Sequence, residues 1–176
     1  MKFIFSFVLF FLFLNCLATA QTLIQNCCKK SSTNSPDFNY DICVQYLEKD
    51  PQCKNATNLK ELVIALTKNA ASKSANLKKI AEEILKDKKL KRGIESNLRD
   101  CVEFYDDAND SLNNTLTLVN LGKYMDAATA LSTALDGMTS CEDGFKESDT
   151  KSPISKEDNV LRQLISIDLS FGVNLK

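Results

Sequence analysis

Cysteines are the residues of this sequence with the most reactive chemistry. Seven occur, and Cys27, Cys28 and Cys43 lie together in the stretch NCCKKSSTNSPDFNYDIC at residues 26–43. Thiols in this arrangement could bind a metal, form a redox pair or make structural disulfides. The chain has no histidine, and a four-cysteine zinc site needs two closely spaced cysteine pairs, of which only one is present. We therefore predict no metal site and no cofactor, and favour disulfides.

The first twenty residues indicate the compartment in which these cysteines are found. A lysine precedes an apolar run over residues 3–14, and the small residues Ala-Thr-Ala follow at 18–20. This order is typical of a secretory signal peptide. We predict that residues 1–20 are removed together with Cys16, and that residues 21–176 form one secreted domain without a membrane span.

An even number of cysteines remains in the predicted mature chain, as expected for disulfides formed in an oxidising compartment. Three glycosylation sequons, at Asn55, Asn109 and Asn113, also fit secretion, and each predicts an exposed side chain if it carries a glycan.

Helical periodicity runs through most of the mature chain and supplies the elements that must position the cysteines. Apolar residues recur every three or four positions from Leu59 to Leu85, from Leu98 to Val119 and from Tyr124 to Phe145. A last helix is predicted after Pro153, with Ser155 as its cap and Asp158 three residues on. Long helices with short connections predict an all-α fold, an antiparallel up-and-down four-helix bundle with an N-terminal helical hairpin.

Two of the cysteines fit the predicted turn between the second and third long helices. Cys101 and Cys141 each lie 20 residues from Leu121, at the centre of that turn. At a rise of about 1.5 Å per residue they should meet about 30 Å from the turn.

The N-terminal cysteines show a similar symmetry. Cys28 and Cys43 are equidistant from the Ser35-Pro36 peptide, which predicts a short hairpin closed by a bridge between them. Cys27 points elsewhere, because adjacent helical residues diverge by about 100°. Its remaining partner is Cys53, so this pair is assigned only by elimination.

Five segments together resemble the plant invertase and pectin methylesterase inhibitor family, especially its invertase-inhibitor-like and pollen-allergen-like members. They are, in order, LIQNCCKK, NYDICVQYLEKDP, LRDCVEFYDDA, KYMDAATALSTALDGMTSCEDGFKE and SPISKEDN. The resemblance implies a four-helix bundle with an N-terminal hairpin and the disulfides Cys28–Cys43 and Cys101–Cys141. Cys27 and Cys53 depart from the usual pattern, and either form a third bridge or stay unbridged.

The resemblance also implies a function, that of a non-catalytic, monomeric enzyme inhibitor of the cell wall or vacuole. The expected target is an invertase, with a pectin methylesterase as the alternative. Invertase inhibitors insert a Pro-Lys-Phe motif into the cleft of the target, and the matching residues are Gly122, Lys123 and Tyr124. Lys123 would pair with a catalytic carboxylate of the glycosidase, and Tyr124 would fill a sugar subsite. Without the resemblance, the same two residues are a solvated turn residue and the first core aromatic of a helix.

Gly122 is a departure from the proline of that motif, because a flexible residue must be ordered on binding. Gly122→Pro is therefore expected to tighten binding modestly, provided that φ at this position suits proline and that the N–H is unpaired.

Other functions are less consistent with the sequence. Without Lys2 the chain carries 21 basic and 23 acidic side chains, so no strong overall field recruits nucleic acid. The basic cluster from Lys78 to Arg92 is interrupted by acidic residues, and the acidic run from Asp100 to Asp110 has the spacing of an exposed helix flank. A secreted small-ligand carrier is an alternative class, although the close cysteine pairs of such carriers do not match this wide spacing. A hydrolase is the least favoured class.

Overall fold

Helices make up every regular element of the described chain. The structure, a computed structural model, describes residues 22–35 and 38–176. The predicted signal peptide therefore lies outside the described residues. The described residues divide into two compact units, one ending at Ala65 and the other covering Leu66–Lys176. The all-α fold predicted from the sequence is confirmed.

The first unit contains a helical hairpin. Helix α1 covers residues 22–34, α2 covers Tyr40–Lys49 and the short α3 covers Pro51–Lys54. Side chains cap both later helices, since the Asn39 carboxamide accepts from the N–H of Ile42 and the Asp50 carboxylate caps α3. The disulfide Cys28–Cys43 joins α1 to α2, with an S–S distance of 2.03 Å.

The residual pair of cysteines does not form the third bridge considered above. Cys27 is half-buried, Cys53 is buried, and no disulfide joins them. Cys28 takes the side of α1 that faces α2, so Cys27, about 100° further round, cannot share that direction. Burial raises the pKa of the Cys27 thiol, with Lys30 partly opposing the effect. The thiol is therefore poorly activated for disulfide exchange.

Four long helices form the second unit. Helix α4, Leu59–Ile84, begins in the first unit and continues into the second, followed by α5 (Arg92–Asn120), α6 (Tyr124–Glu147) and α7 (Ser155–Gly172). Helices α5 and α6 run antiparallel and are joined by the disulfide Cys101–Cys141. Gly137 allows their close approach, because a Cβ there would lie 3.4 Å from the backbone oxygen of Phe104.

Hydrogen bonds and close packing connect the remaining neighbours. The Ser74 hydroxyl of α4 donates to the backbone oxygen of Tyr105 in α5, over 2.9 Å. The Thr67 hydroxyl of α4 donates to Asp168 of α7, over 2.6 Å. Helix α6 packs against α7, where a Cβ at Gly172 would lie 3.2 Å from the Leu131 side chain. The helices are therefore neighbours in the cyclic order α4, α5, α6, α7, which gives the predicted four-helix bundle.

The start of α7 differs from the predicted capping arrangement. Ser155 is the first residue of the helix rather than its cap, and the preceding Ile154 makes no capping bond. Asp158 is fully buried and accepts a hydrogen bond from the Tyr105 hydroxyl over 3.0 Å. The carboxylate thus faces the core, because a buried phenol on α5 needs an acceptor there.

Candidate target-binding site

The turn between α5 and α6 carries the three residues predicted to contact a target. Gly122 adopts a positive φ of 73°. Its N–H donates to the oxygen of Val119, and the N–H of Lys123 donates to that of Leu118. This pair of bonds is the Schellman motif, in which glycine is favoured because it has no Cβ to clash in the left-handed region.

The structure gives the three residues unequal exposure. Gly122 and Lys123 are exposed, and Lys123 precedes α6 without making a capping bond. Tyr124 begins α6 and is half-buried, so its ring is not wholly available to a partner. Two apolar neighbours that the sequence analysis did not select are more exposed, Leu121 at 65% and Met125 at 77%. In the sequence, only their closeness to Gly122 could have indicated that these two side chains are exposed.

The expected benefit of Gly122→Pro is wrong, because the structure meets neither of its two conditions. Proline requires a φ near −65° and has no N–H, whereas φ here is 73° and the N–H is hydrogen-bonded. We expect the substitution to destabilise the protein by about 2 kcal/mol. Thermal unfolding should show a midpoint lowered by about 4–8 °C for a domain of this size.

Gly122→Asn is the matched control for this substitution, because asparagine tolerates the left-handed region and keeps its N–H. Its midpoint should lie much closer to wild type. A proline variant that unfolds no earlier than the asparagine variant would show that the turn rearranges.

The sequons differ in accessibility. Asn55 is exposed at the end of α3, whereas Asn109 is half-buried and Asn113 exposed within α5. Thr115 of the third sequon is buried, and its hydroxyl donates to the Ser111 carbonyl. The exposure that a glycan requires is therefore best met at Asn55.

Acidic side chains dominate the surface of the α5–α6 hairpin. The hairpin, residues 92–147, contains eleven acidic and four basic side chains, and one of the basic residues, Lys146, forms an ion pair with Asp143. A groove of about 350 Å³ lies between the two helices and is lined by polar and acidic side chains, including Asp100 and Glu147. Both of these carboxylates are exposed. We call this surface the acidic face, defined by Asp100, Glu103, Asp107, Asp143 and Glu147.

Helix α4 and the connection that follows it carry the opposite charge. Residues 59–91 contain nine basic and four acidic side chains. Lys78 of α4 forms an ion pair with Asp106 of α5, with 2.6 Å between Nζ and Oδ1. The second unit thus separates charge between neighbouring helices, which an overall net charge of −1 conceals.

Two aspartates of α7 are buried in the bundle, and the sequence analysis assigned no burial to either. Burial raises the pKa of Asp158 to about 7, with the nearby Glu142 acting in the same direction and Tyr105 and Arg162 opposing it. Burial also raises the pKa of Asp168 well above its usual range, against a hydrogen bond from Thr67. Both carboxyl groups therefore retain a proton more readily than an exposed aspartate.

Two further geometric properties concern the described residues alone. No three potential metal ligands among them lie close enough together to hold an ion. Within the same ranges, no helix combines the length and apolar character needed to cross a membrane.

The geometry defines a disulfide-linked helical bundle with an exposed turn and a charged helix face. Residues 22–171 match the family described as plant invertase/pectin methylesterase inhibitor. The chain belongs to this family. Its members are inhibitors and not catalysts, so the inhibitor class predicted from the sequence is confirmed.

Curated relatives align with nearly the full chain. Pectinesterase inhibitor 12 of Arabidopsis thaliana is 48% identical over 171 residues, covering 97% of this chain and 98% of the relative. A protein of Platanus orientalis, provisionally named an invertase inhibitor, is 34% identical over 171 residues. The alignment covers 97% of this chain and 96% of the relative. The two kinds of inhibitor are thus both represented among the relatives.

Solved structures share the fold. A mutant form of a pectin methylesterase inhibitor from Arabidopsis matches with a TM-score of 0.70 and 21% identity, over 78% of this chain and 91% of that one. A second pectin methylesterase inhibitor, from Arabidopsis thaliana, matches with a TM-score of 0.63 and 20% identity. The match covers 87% of this chain and 95% of that one. At these identities the likeness concerns the helical fold alone.

Proposed function

We propose that this protein is a secreted inhibitor of a pectin methylesterase, also called a pectinesterase. The observation that carries the proposal is the 48% identity, over 97% of the chain, with a protein named pectinesterase inhibitor. The relatives named for invertase are 34% identical. This order reverses the sequence-based preference for invertase. The predicted signal peptide and the sequons support action in the cell wall.

The acidic face is the proposed contact surface. Pectin is a polymer of uronic acids, and each methyl ester that the enzyme removes leaves a carboxylate on the polymer. The product in the cleft is therefore anionic, and a positive potential there would favour its binding. Carboxylates held on two rigid helices can occupy such a cleft in place of the polymer. Complementary charge of this kind raises the association rate and selects the partner.

The experiment measures inhibition constants of the mature protein against a pectin methylesterase and a cell-wall invertase, side by side. We expect inhibition of the esterase, weakened by added salt because exposed charges are screened. The double variant Asp100→Lys with Glu147→Lys places a cation on each side of the groove. It should raise the inhibition constant about 10- to 100-fold, because like charges then face each other across the interface.

The double variant Glu82→Lys with Glu83→Lys is the matched control, since it changes the net charge by the same amount at two exposed residues of α4, away from the acidic face. Its inhibition constant should stay within about twofold of wild type. Inhibition of invertase alone would overturn the proposed target. Equal potency of the double variant and the wild type would overturn the proposed surface and leave the target standing.

Invertase is retained as the second candidate because Lys123 is exposed at the tip of the α5–α6 turn. If Lys123 pairs with a carboxylate of an invertase cleft, Lys123→Glu should abolish invertase inhibition and leave the helical circular dichroism signal unchanged. Inhibition of the esterase should not respond to this variant, because Asp107, the residue of the acidic face nearest to the turn, lies about 20 Å from it along α5. A loss of esterase inhibition in this variant would place the turn in the esterase interface.

A further inference from the structure

A second groove, of about 150 Å³, lies between α4 and α7. Its floor is apolar and consists of Leu77 and Ile80 from α4 and Val160 from α7. Its rim is charged, with Lys73 on one helix and Lys156 and Glu157 on the other. The groove is therefore separate from the acidic face and from the α5–α6 turn.

The two lysines of this rim are the groups with which an anionic ligand could pair. In the part of the chain that the structure describes, neither Lys73 nor Lys156 forms an ion pair. Lys78, just over one turn further along α4, is by contrast paired with Asp106. Lys73 is also half-buried, so part of its side chain packs against the protein.

The charge balance of the rim favours an anion. Two lysines and one glutamate line the groove, so its lining carries one net positive charge. The rim also includes the first turn of α7, where the positive end of the helix dipole adds to the potential and the acidic residues Glu157 and Asp158 partly offset it. The apolar floor beneath these charges favours a ligand with an apolar body and one anionic group.

We propose that the α4–α7 groove binds a small aromatic carboxylate of about the size of cinnamate. The ring lies on Leu77, Ile80 and Val160, and the carboxylate lies between the ammonium groups of Lys73 and Lys156. A volume of about 150 Å³ is below that of sites for drug-sized ligands and suits one ring with a short side chain. This site is independent of the proposed inhibitory function and requires no partner enzyme.

Titration followed by two-dimensional NMR tests this inference, with cinnamate as the probe and cinnamamide as its neutral isostere. We expect cinnamate to bind with a Kd of about 1 mM, as ligand efficiency allows for a molecule of this size, and to shift the resonances of Ile80 and Val160. Cinnamamide should bind at least about fivefold more weakly, because it lacks the charge that the lysines attract. Equal binding of the two probes, or shifts confined to other parts of the protein, would overturn the proposal.

Two substitutions should move the Kd in opposite directions. Lys156→Gln removes one cation and should weaken cinnamate binding about two- to fivefold. Glu157→Gln removes the competing carboxylate and should strengthen it by a similar factor. Lys79→Gln, at an exposed lysine of α4 that does not line the groove, should leave the Kd unchanged. If Glu157→Gln weakens binding or has no effect, the rim does not recognise an anion.

Discussion

Replacing Cys101 and Cys141 together by alanine should lower the free energy of unfolding by about 4 kcal/mol. The bridge closes a segment in which the two cysteines are separated by 40 positions, and it thereby restricts the unfolded chain. Both cysteines are buried, and the Tyr105 hydroxyl lies 3.4 Å from the Cys141 sulfur. Loss of the bridge therefore also disturbs the packing around a fully buried aromatic residue.

Urea denaturation followed by circular dichroism, without reductant, measures this loss. The matched comparison is the double alanine variant at Cys28 and Cys43, which removes a bridge between residues separated by only 15 positions. The shorter loop predicts a loss of about 3 kcal/mol. Cys27→Ala removes a half-buried thiol outside either bridge and should cost about 1 kcal/mol or less.

The order of these three variants is the critical result. If replacing Cys101 and Cys141 lowers the free energy of unfolding no more than Cys27→Ala does, the packed core alone stabilises the bundle. If the variant at Cys28 and Cys43 shows a separate unfolding transition for the first unit, the two units unfold independently.

The second large effect is a fall in stability as the pH rises from about 4 to about 7. Asp158 is fully buried, with one oxygen bonded by Tyr105 and the other 3.2 Å from Nε of Arg162 without the alignment of a hydrogen bond. Burial raises its pKa to about 7. Asp168, also fully buried, has a pKa raised by the same cause.

The sign follows from the number of protons bound in each state. Well below pH 3.8 the carboxyl of Asp158 is protonated in both the folded and the unfolded chain. Between about 4 and 7 the unfolded chain releases this proton while the folded chain retains it, so the free energy of unfolding falls as the pH rises. A rise in the pKa of Asp158 from its usual value of 3.8 to about 7 corresponds to about 4 kcal/mol as an upper value.

Two other carboxyl groups affect how the free energy of unfolding changes with pH. Asp168 acts in the same direction as Asp158. Glu61 acts in the opposite direction, because hydrogen bonds from Thr57 lower the pKa of its exposed carboxyl group. The stability that Glu61 contributes is present at neutral pH and is lost in acid.

Urea denaturation at pH 4, 5, 6 and 7 tests this expectation. Asp158→Asn should flatten the profile substantially, because the amide does not titrate and its oxygen can still accept from Tyr105. Asp107→Asn, at an exposed carboxylate of α5, is the control and should keep the wild-type slope. A wild-type profile that rises with pH over this range would show that Arg162 keeps Asp158 ionised in the folded protein.

The sequence by itself determined the helices and the two disulfides that the structure forms. Helix periodicity is local, and a short turn between antiparallel helices places residues equidistant from it side by side. Cys101 and Cys141 therefore meet without any detailed knowledge of the core. The same symmetry brings Cys28 to Cys43.

Only the tertiary structure decided the properties that depend on neighbours distant in sequence. The helical pattern of α7 did not show that Asp158 faces Tyr105 of α5, because an aspartate near a helix start is equally typical of an exposed capping arrangement. The positive φ of Gly122 depends on how α5 ends and α6 begins, which is why the benefit expected from proline at this position was wrong. The charge separation between α4 and the α5–α6 hairpin was present in the sequence, but it became a pair of surfaces only when the bundle fixed which helices are neighbours. Burial, backbone handedness and surface potential are set by packing, and packing is not local.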